Sequence, residues 1–119
     1  ISIILKPWME SKMAQMVTEL ANGKDFESFT KKGLVLVDFW ADWCMPCIIM
    51  APVMEELGKK FRGKIKFGKI NVDENHELSR KFKIFSIPNF ILFENGKPID
   101  QFIGSRPAQD FEAKLKKHL

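Results

Sequence analysis

The sequence predicts one α/β domain of five strands and four helices, in the order β, α, β, α, β, α, β, β, α, on three observations. Two runs, Leu34 to Trp40 and Ile65 to Val72, are apolar at both parities, as strands covered on both faces are. Between them, from about Cys44 to Phe61, apolar residues recur at helical spacing. Asn95-Gly96 then divides two further strand-like segments, a strong hairpin signal because both residues tolerate positive φ. A chain of 119 residues, 45% of them hydrophobic, is enough for one domain with its own core.

Each element has a local reason. Met16 to Leu20 can make a short edge strand, after which Asn22, Gly23 and Asp25 supply turn and capping chemistry. The short helix that follows carries Phe26 and Phe29 and is ended by Gly33. Leu34 to Trp40 is interrupted only by Asp38, a carboxylate where desolvation is expensive. In the next helix Ile49, Met50, Val53, Met54, Leu57 and Phe61 are expected on the core face, with Glu55, Glu56, Lys59 and Lys60 opposite. Pro52 should kink it, since proline removes an amide donor and crowds the preceding turn.

In the strand Ile65 to Val72, Lys69 shares the face of Phe67. Asp73 suits the cap of a helix carrying Leu78 and Phe82, which Glu77 and Lys81 support at i,i+4. Phe90 to Glu94 and Pro98 to Ile103 flank the Asn95-Gly96 turn. Ser105 and Pro107 suit the start of a terminal helix with Ala108, Phe111 and Leu115 on one face, and Lys116, Lys117 and His118 lie near the negative end of its dipole. The domain is expected at residues 16–119, and residues 1–15 form an N-terminal extension in which Trp8 is either a surface anchor or part of an untidy tail.

Bulk properties remove several function classes. The net charge of +4 comes from scattered lysines such as Lys31, Lys32, Lys59, Lys60, Lys64 and Lys66, with no basic stripe interleaved with aromatics, so no nucleic-acid partner is expected. A charged content of 29% argues for a soluble protein and against a membrane one. Secreted domains of this size often carry several structural disulfides, whereas here both cysteines are spent on one short-range pair. The opening Ile1-Ser2-Ile3-Ile4-Leu5-Lys6 has too short an apolar stretch for a signal-peptide core. A reducing compartment, the cytoplasm, is therefore expected.

That pair, Cys44 and Cys47 in Trp43-Cys44-Met45-Pro46-Cys47, carries the functional reading. Thiols at this spacing can close a small disulfide ring, and a strand-to-helix junction puts the first sulfur where helix amides stabilise a thiolate. Cys44 is thus the expected nucleophile and Cys47, one turn on and followed by Ile48-Ile49, the more buried resolving thiol. The same spacing is half of a zinc or iron-sulfur site, but four ligands are normally needed and there is no second cysteine pair or spaced histidine set. No metal is expected, and His76 and His118 read as surface helix residues.

Val37-Asp38-Phe39-Trp40-Ala41-Asp42-Trp43-Cys44-Met45-Pro46-Cys47, then Ala51-Pro52, Lys69-Ile70-Asn71-Val72-Asp73, Ser86-Ile87-Pro88, Asn95-Gly96-Lys97 and Gly104 follow one another as in the thioredoxin pattern, which the chain resembles from roughly Val17 to Leu119. The resemblance implies a five-stranded mixed sheet flanked by four helices and reduction of protein disulfides by dithiol-disulfide exchange. It also implies a reversible Cys44-Cys47 disulfide with no bound cofactor, disulfide-containing protein substrates, recycling by a thioredoxin reductase, and a monomer. Asp38 corresponds to the carboxylate that assists deprotonation of the resolving cysteine, with Lys69 near it; a purely structural Asp38-Lys69 pair is the alternative. The Ile87-Pro88 bond is implied to be cis and adjacent to the disulfide. Trp43, Met45, Pro46, Ile87, Pro88, Ile103 and Gly104 are implied as the substrate surface, with Trp40 and Pro52 supporting the site. Two departures stand out: Met45-Pro46 replaces the usual Gly-Pro, and Ile48 stands where a basic residue is common. A disulfide oxidase or isomerase of the same fold, a scaffold subunit, or a metal-binding module are the competing readings.

Overall fold

Two central strands that are apolar at both parities need cover on both faces, and the arrangement of the chain supplies it. The computed structural model describes residues 15–119, so all but the last residue of the expected N-terminal extension, including Trp8, lies outside the described residues. Strands β1 (Val17–Leu20), β2 (Leu34–Trp40), β3 (Ile65–Asn71), β4 (Asn89–Glu94) and β5 (Lys97–Ile103) form one sheet in the order β1-β3-β2-β4-β5. β3 runs parallel to both β1 and β2, while β4 runs antiparallel to β2 and β5, so the sheet is mixed. Helices α1 (Gly23–Thr30), α2 (Met45–Lys60), α3 (His76–Lys81) and α4 (Ala108–Lys116) complete the expected order.

The alternation of side chains along a strand divides the core in two. Leu36, Phe67, Phe90, Leu92 and Phe102 meet Met50, Met54 and Leu57 of α2 and Phe111 and Leu115 of α4. On the opposite face Val35, Val37, Phe39, Ile70, Ile91 and Phe93 meet Phe26 of α1 and Leu78 of α3. Asp38 alternates with Leu36 onto the α2 side, and its register partners are Lys69 in β3 and Phe90 in β4.

Local chemistry sets the ends. The Asn22 side chain accepts from the Asp25 amide at 2.9 Å while the Asp25 carboxylate accepts from the Ala21 amide at 3.2 Å, which starts α1. Asn95 and Gly96 adopt φ of 51° and 85° to close the β4–β5 hairpin, and the Asn95 side chain accepts from the Gly33 amide at 2.8 Å. Gly68 of β3 is required by packing, since a Cβ there would lie 2.9 Å from the Phe29 ring. Two expectations are corrected. Ile49 is exposed rather than in the core, because the helix face turned to the sheet is taken by Met50, Met54 and Leu57. Asp73 does not cap a helix: α3 starts later, with Asn75 at the cap position and no side-chain cap bond.

Phe111 anchors α4 through its ring, 4.9 Å from Phe90 and 5.0 Å from Phe102. Truncation of a buried phenylalanine costs about 3–5 kcal/mol. The Phe111→Ala protein is therefore expected to unfold at clearly lower denaturant with an unchanged slope, and a midpoint equal to that of the parent would contradict this packing.

Candidate redox site

Both cysteines sit where β2 hands over to α2. The chain leaves β2 at Trp40, turns through Ala41 to Trp43, and the Cys44 amide donates to the Ala41 carbonyl at 3.2 Å. Cys44, with φ −87° and ψ 99°, is the N-cap of α2. Its sulfur accepts from the Cys47 amide at 3.2 Å and its carbonyl from the Ile48 amide at 3.1 Å. Pro46 stands in the first turn, where an absent amide costs nothing. The two sulfurs are joined as a disulfide with Cα atoms 5.2 Å apart.

Sequence reasoning expects Cys47 to be the more buried thiol. In the disulfide both are 3% exposed, because Ala41 lies with them and Trp40, Val72 and Ile87 pack around all three. The Ile87-Pro88 bond is cis. Pro88 accepts at its carbonyl from the Gly104 amide at 2.8 Å, and Ile103 pairs with Asn89, so Ile87, Pro88, Ile103 and Gly104 are brought together beside the disulfide. Trp43, Met45 and Pro46 are exposed on the helix side of the same sulfurs. Pro52 lies at an exposed position within a continuous α2.

Asp38 is 5% exposed, and one of its oxygens has no hydrogen-bond partner. Burial pushes its pKa up to about 7, with the positive charge of Lys69 pulling the other way. Although Asp38 and Lys69 are register partners, no ion pair joins them among the described residues. The Lys69 ammonium lies instead 5.0 Å from the centre of the Trp40 ring. The indole nitrogen of Trp40 is likewise buried without a partner.

One residue near the site was not legible as such. The Trp43 indole N–H donates to the Asp73 carboxylate at 2.8 Å, and the Asp73 amide donates to the Asn71 side chain at 2.9 Å. Thirty residues separate Trp43 from Asp73, so only the tertiary fold reveals the pair. Neither histidine completes a ligand set: among the described residues no three His, Cys, Asp or Glu side chains converge as metal ligands, and His118 contacts Asp100 at 3.0 Å.

A cysteine pair closed across the first turn of a helix, in a domain that also buries a carboxylate whose pKa burial pushes up to about 7, has the groups that thiol-disulfide exchange uses. The profile of the family described as Thioredoxin matches residues 17–117. Thioredoxin of Staphylococcus aureus is 44% identical over 95 residues, which cover 80% of this chain and 91% of that protein. The crystal structure of Malassezia sympodialis thioredoxin superposes with a TM-score of 0.80 at 32% identity, covering 86% of this chain and 92% of that one. With the mixed sheet of five strands, the four helices and the cysteine pair at disulfide distance, these matches establish that the chain belongs to the thioredoxin family of protein-disulfide oxidoreductases.

Proposed function

We propose that the protein works as a reductant, with Cys44 as nucleophile and Cys47 as resolving thiol. The observation that carries the assignment is the position of the Cys44 sulfur at the N-cap of α2, facing the Cys47 amide. Amides and the positive end of a helix dipole favour a thiolate there. The Cys44 thiolate attacks one sulfur of a partner's disulfide; that bond breaks, the other partner sulfur leaves as a thiolate and takes up a proton from water. Cys47 then gives its proton to the Asp38 carboxylate and attacks the Cys44 sulfur. The mixed disulfide breaks, the partner leaves fully reduced, and its two electrons have come from the dithiol, now the Cys44-Cys47 disulfide.

Asp38 is suited to accept that proton because it lies on the α2 side of β2 and titrates near neutral pH. Lys69 keeps the carboxylate from rising further. Trp43, Met45, Pro46, Ile87, Pro88, Ile103 and Gly104 form the surface on which an extended partner segment docks, and Trp40 and Pro52 support it. The domain is assigned to residues 16–119, with 1–15 an extension. A monomer in the cytoplasm, recycled by a thioredoxin reductase, fits a chain whose only cysteines are one exchangeable pair.

Three outcomes test these roles. The Cys47→Ser protein should accumulate mixed disulfides through Cys44, visible on non-reducing gels; turnover of a protein disulfide at the parent rate would end the assignment. Equilibration of the parent with a glutathione buffer should give a potential nearer about −270 mV than the about −180 mV of an isomerase. Asp38→Asn should slow the resolving step at neutral pH. It should also stabilise the protein: a carboxylate held at about 7 rather than 3.8 keeps its proton in the folded state, so its native advantage is present below about pH 4 and lost as pH rises through 7. Above pH 7 the buried charge costs at most roughly 4 kcal/mol. The gain from Asn should therefore be largest near pH 8 and vanish near pH 4, and a pH-independent gain in chemical denaturation would exclude the buried-charge account.

A further inference from the structure

Phe85 is 91% exposed, a degree of exposure unusual for a phenylalanine in a folded domain. It lies two residues before Ile87, which packs on the cysteine pair, so chain length alone holds its backbone within about 7 Å of that residue. On the helix side Met45, Ile48 and Ile49 are also exposed, at 64%, 51% and 63%. Three segments at the sulfurs carry no ionisable group other than the cysteines themselves, Trp43 to Met54, Ile84 to Phe93 and Gln101 to Ser105, while Asp42 and Asp73 stand beside Ala41 and Val72. Yet the chain holds 19 Lys and Arg and 15 Asp and Glu, all placed outside these segments.

Resting on the exchange reading above, we propose that Phe85 is a specificity-determining residue which selects partner disulfides flanked by large apolar side chains. Both sulfurs are nearly enclosed, so a partner cystine reaches Cys44 only if its neighbouring residues press onto the surrounding rim. The exposed apolar side chains next to these residues along the chain are Met45, Ile48 and Ile49 beside the cysteines and Phe85 two residues before Ile87, in addition to Trp43 and Ile103 of the surface described above. The nearest carboxylates, Asp42 and Asp73, already accept from the Asn71 and Trp43 side chains, so discrimination among flanks is set chiefly by how much apolar area they cover. The occupant of the Phe85 surface is therefore the apolar segment beside the cystine of a protein substrate, the kind of segment that partial unfolding exposes.

The test uses the reduced full chain and two synthetic cyclic peptides, identical except that the residues flanking the disulfide are Leu and Phe in one and Ser and Glu in the other. The parent should reduce the apolar peptide about tenfold faster in kcat/KM, the size expected for burying part of one aromatic side chain. In Phe85→Ser that ratio should fall to about two or less, while Phe85→Leu should retain most of it. Ile99→Ser removes another exposed apolar side chain, outside the rim, and should leave the ratio at the parent value. A parent without preference, or a Phe85→Ser protein that keeps it, overturns the proposal while leaving exchange intact. Failure to exchange with either peptide overturns both. A dimer in sedimentation that Phe85→Ser dissociates, or Phe85-dependent binding to lipid vesicles, would assign the surface to a second copy or a membrane and overturn it equally.

Discussion

The site depends on one constraint, that α2 begins where the central strand of the sheet ends. β2 is held on both sides, by β3 in parallel and β4 in antiparallel register, and its odd and even side chains enter separate cores. Its exit point is thereby fixed. Ala41, fully buried, receives the Cys44 amide, and the first free helical amides then fall beside the Cys44 sulfur. Amides and the positive end of a helix dipole favour negative charge at such a position.

Among the described residues, the same strand carries the one buried carboxylate. Asp38 and Trp40 are two residues apart, so their side chains leave the same face, and each has a buried polar atom without a partner. A fold selected for stability alone would pair the carboxylate with Lys69, its register partner. Instead the ammonium lies over the Trp40 ring, close enough to moderate the charge but not to quench it. A direct ion pair would drive the carboxyl pKa down and remove its capacity to take a proton near neutral pH. The unpaired arrangement leaves the carboxyl pKa raised to about 7, and two large apolar cores offset its cost.

What could be read from the sequence was what short-range chemistry decides. β2 was legible to the residue because a seven-residue run that is apolar but for Asp38 has few other fates, and the hairpin because Asn95 and Gly96 both accept positive φ. The cysteine spacing, Pro46 and the buried Asp38 follow from local pattern in the same way. Ile49 was misplaced because Ile48, Ile49 and Met50 are consecutive, and periodicity alone does not say which of three adjacent apolar residues faces the sheet. Asp73 carries a good capping side chain, yet the Trp43 indole competes for it from thirty residues away and wins. Equal burial of the two sulfurs was illegible for a related reason, since Ile87 arrives from a loop forty residues beyond Cys47 to pack on both.

The exposed rim around so enclosed a disulfide has a kinetic logic. Exchange proceeds through a covalent intermediate, so the surface need not hold its partner tightly; it has to orient one sulfur for the time that one bond takes to form. Non-directional apolar contact suits that purpose, because it tolerates many sequences and imposes no fixed hydrogen-bond pattern on the flanks. Once the mixed disulfide is broken only this contact remains, and an interface of a few side chains dissociates quickly. Tighter docking would lengthen the life of the spent complex without accelerating the bond exchange, since it would stabilise the bound partner before and during reaction alike.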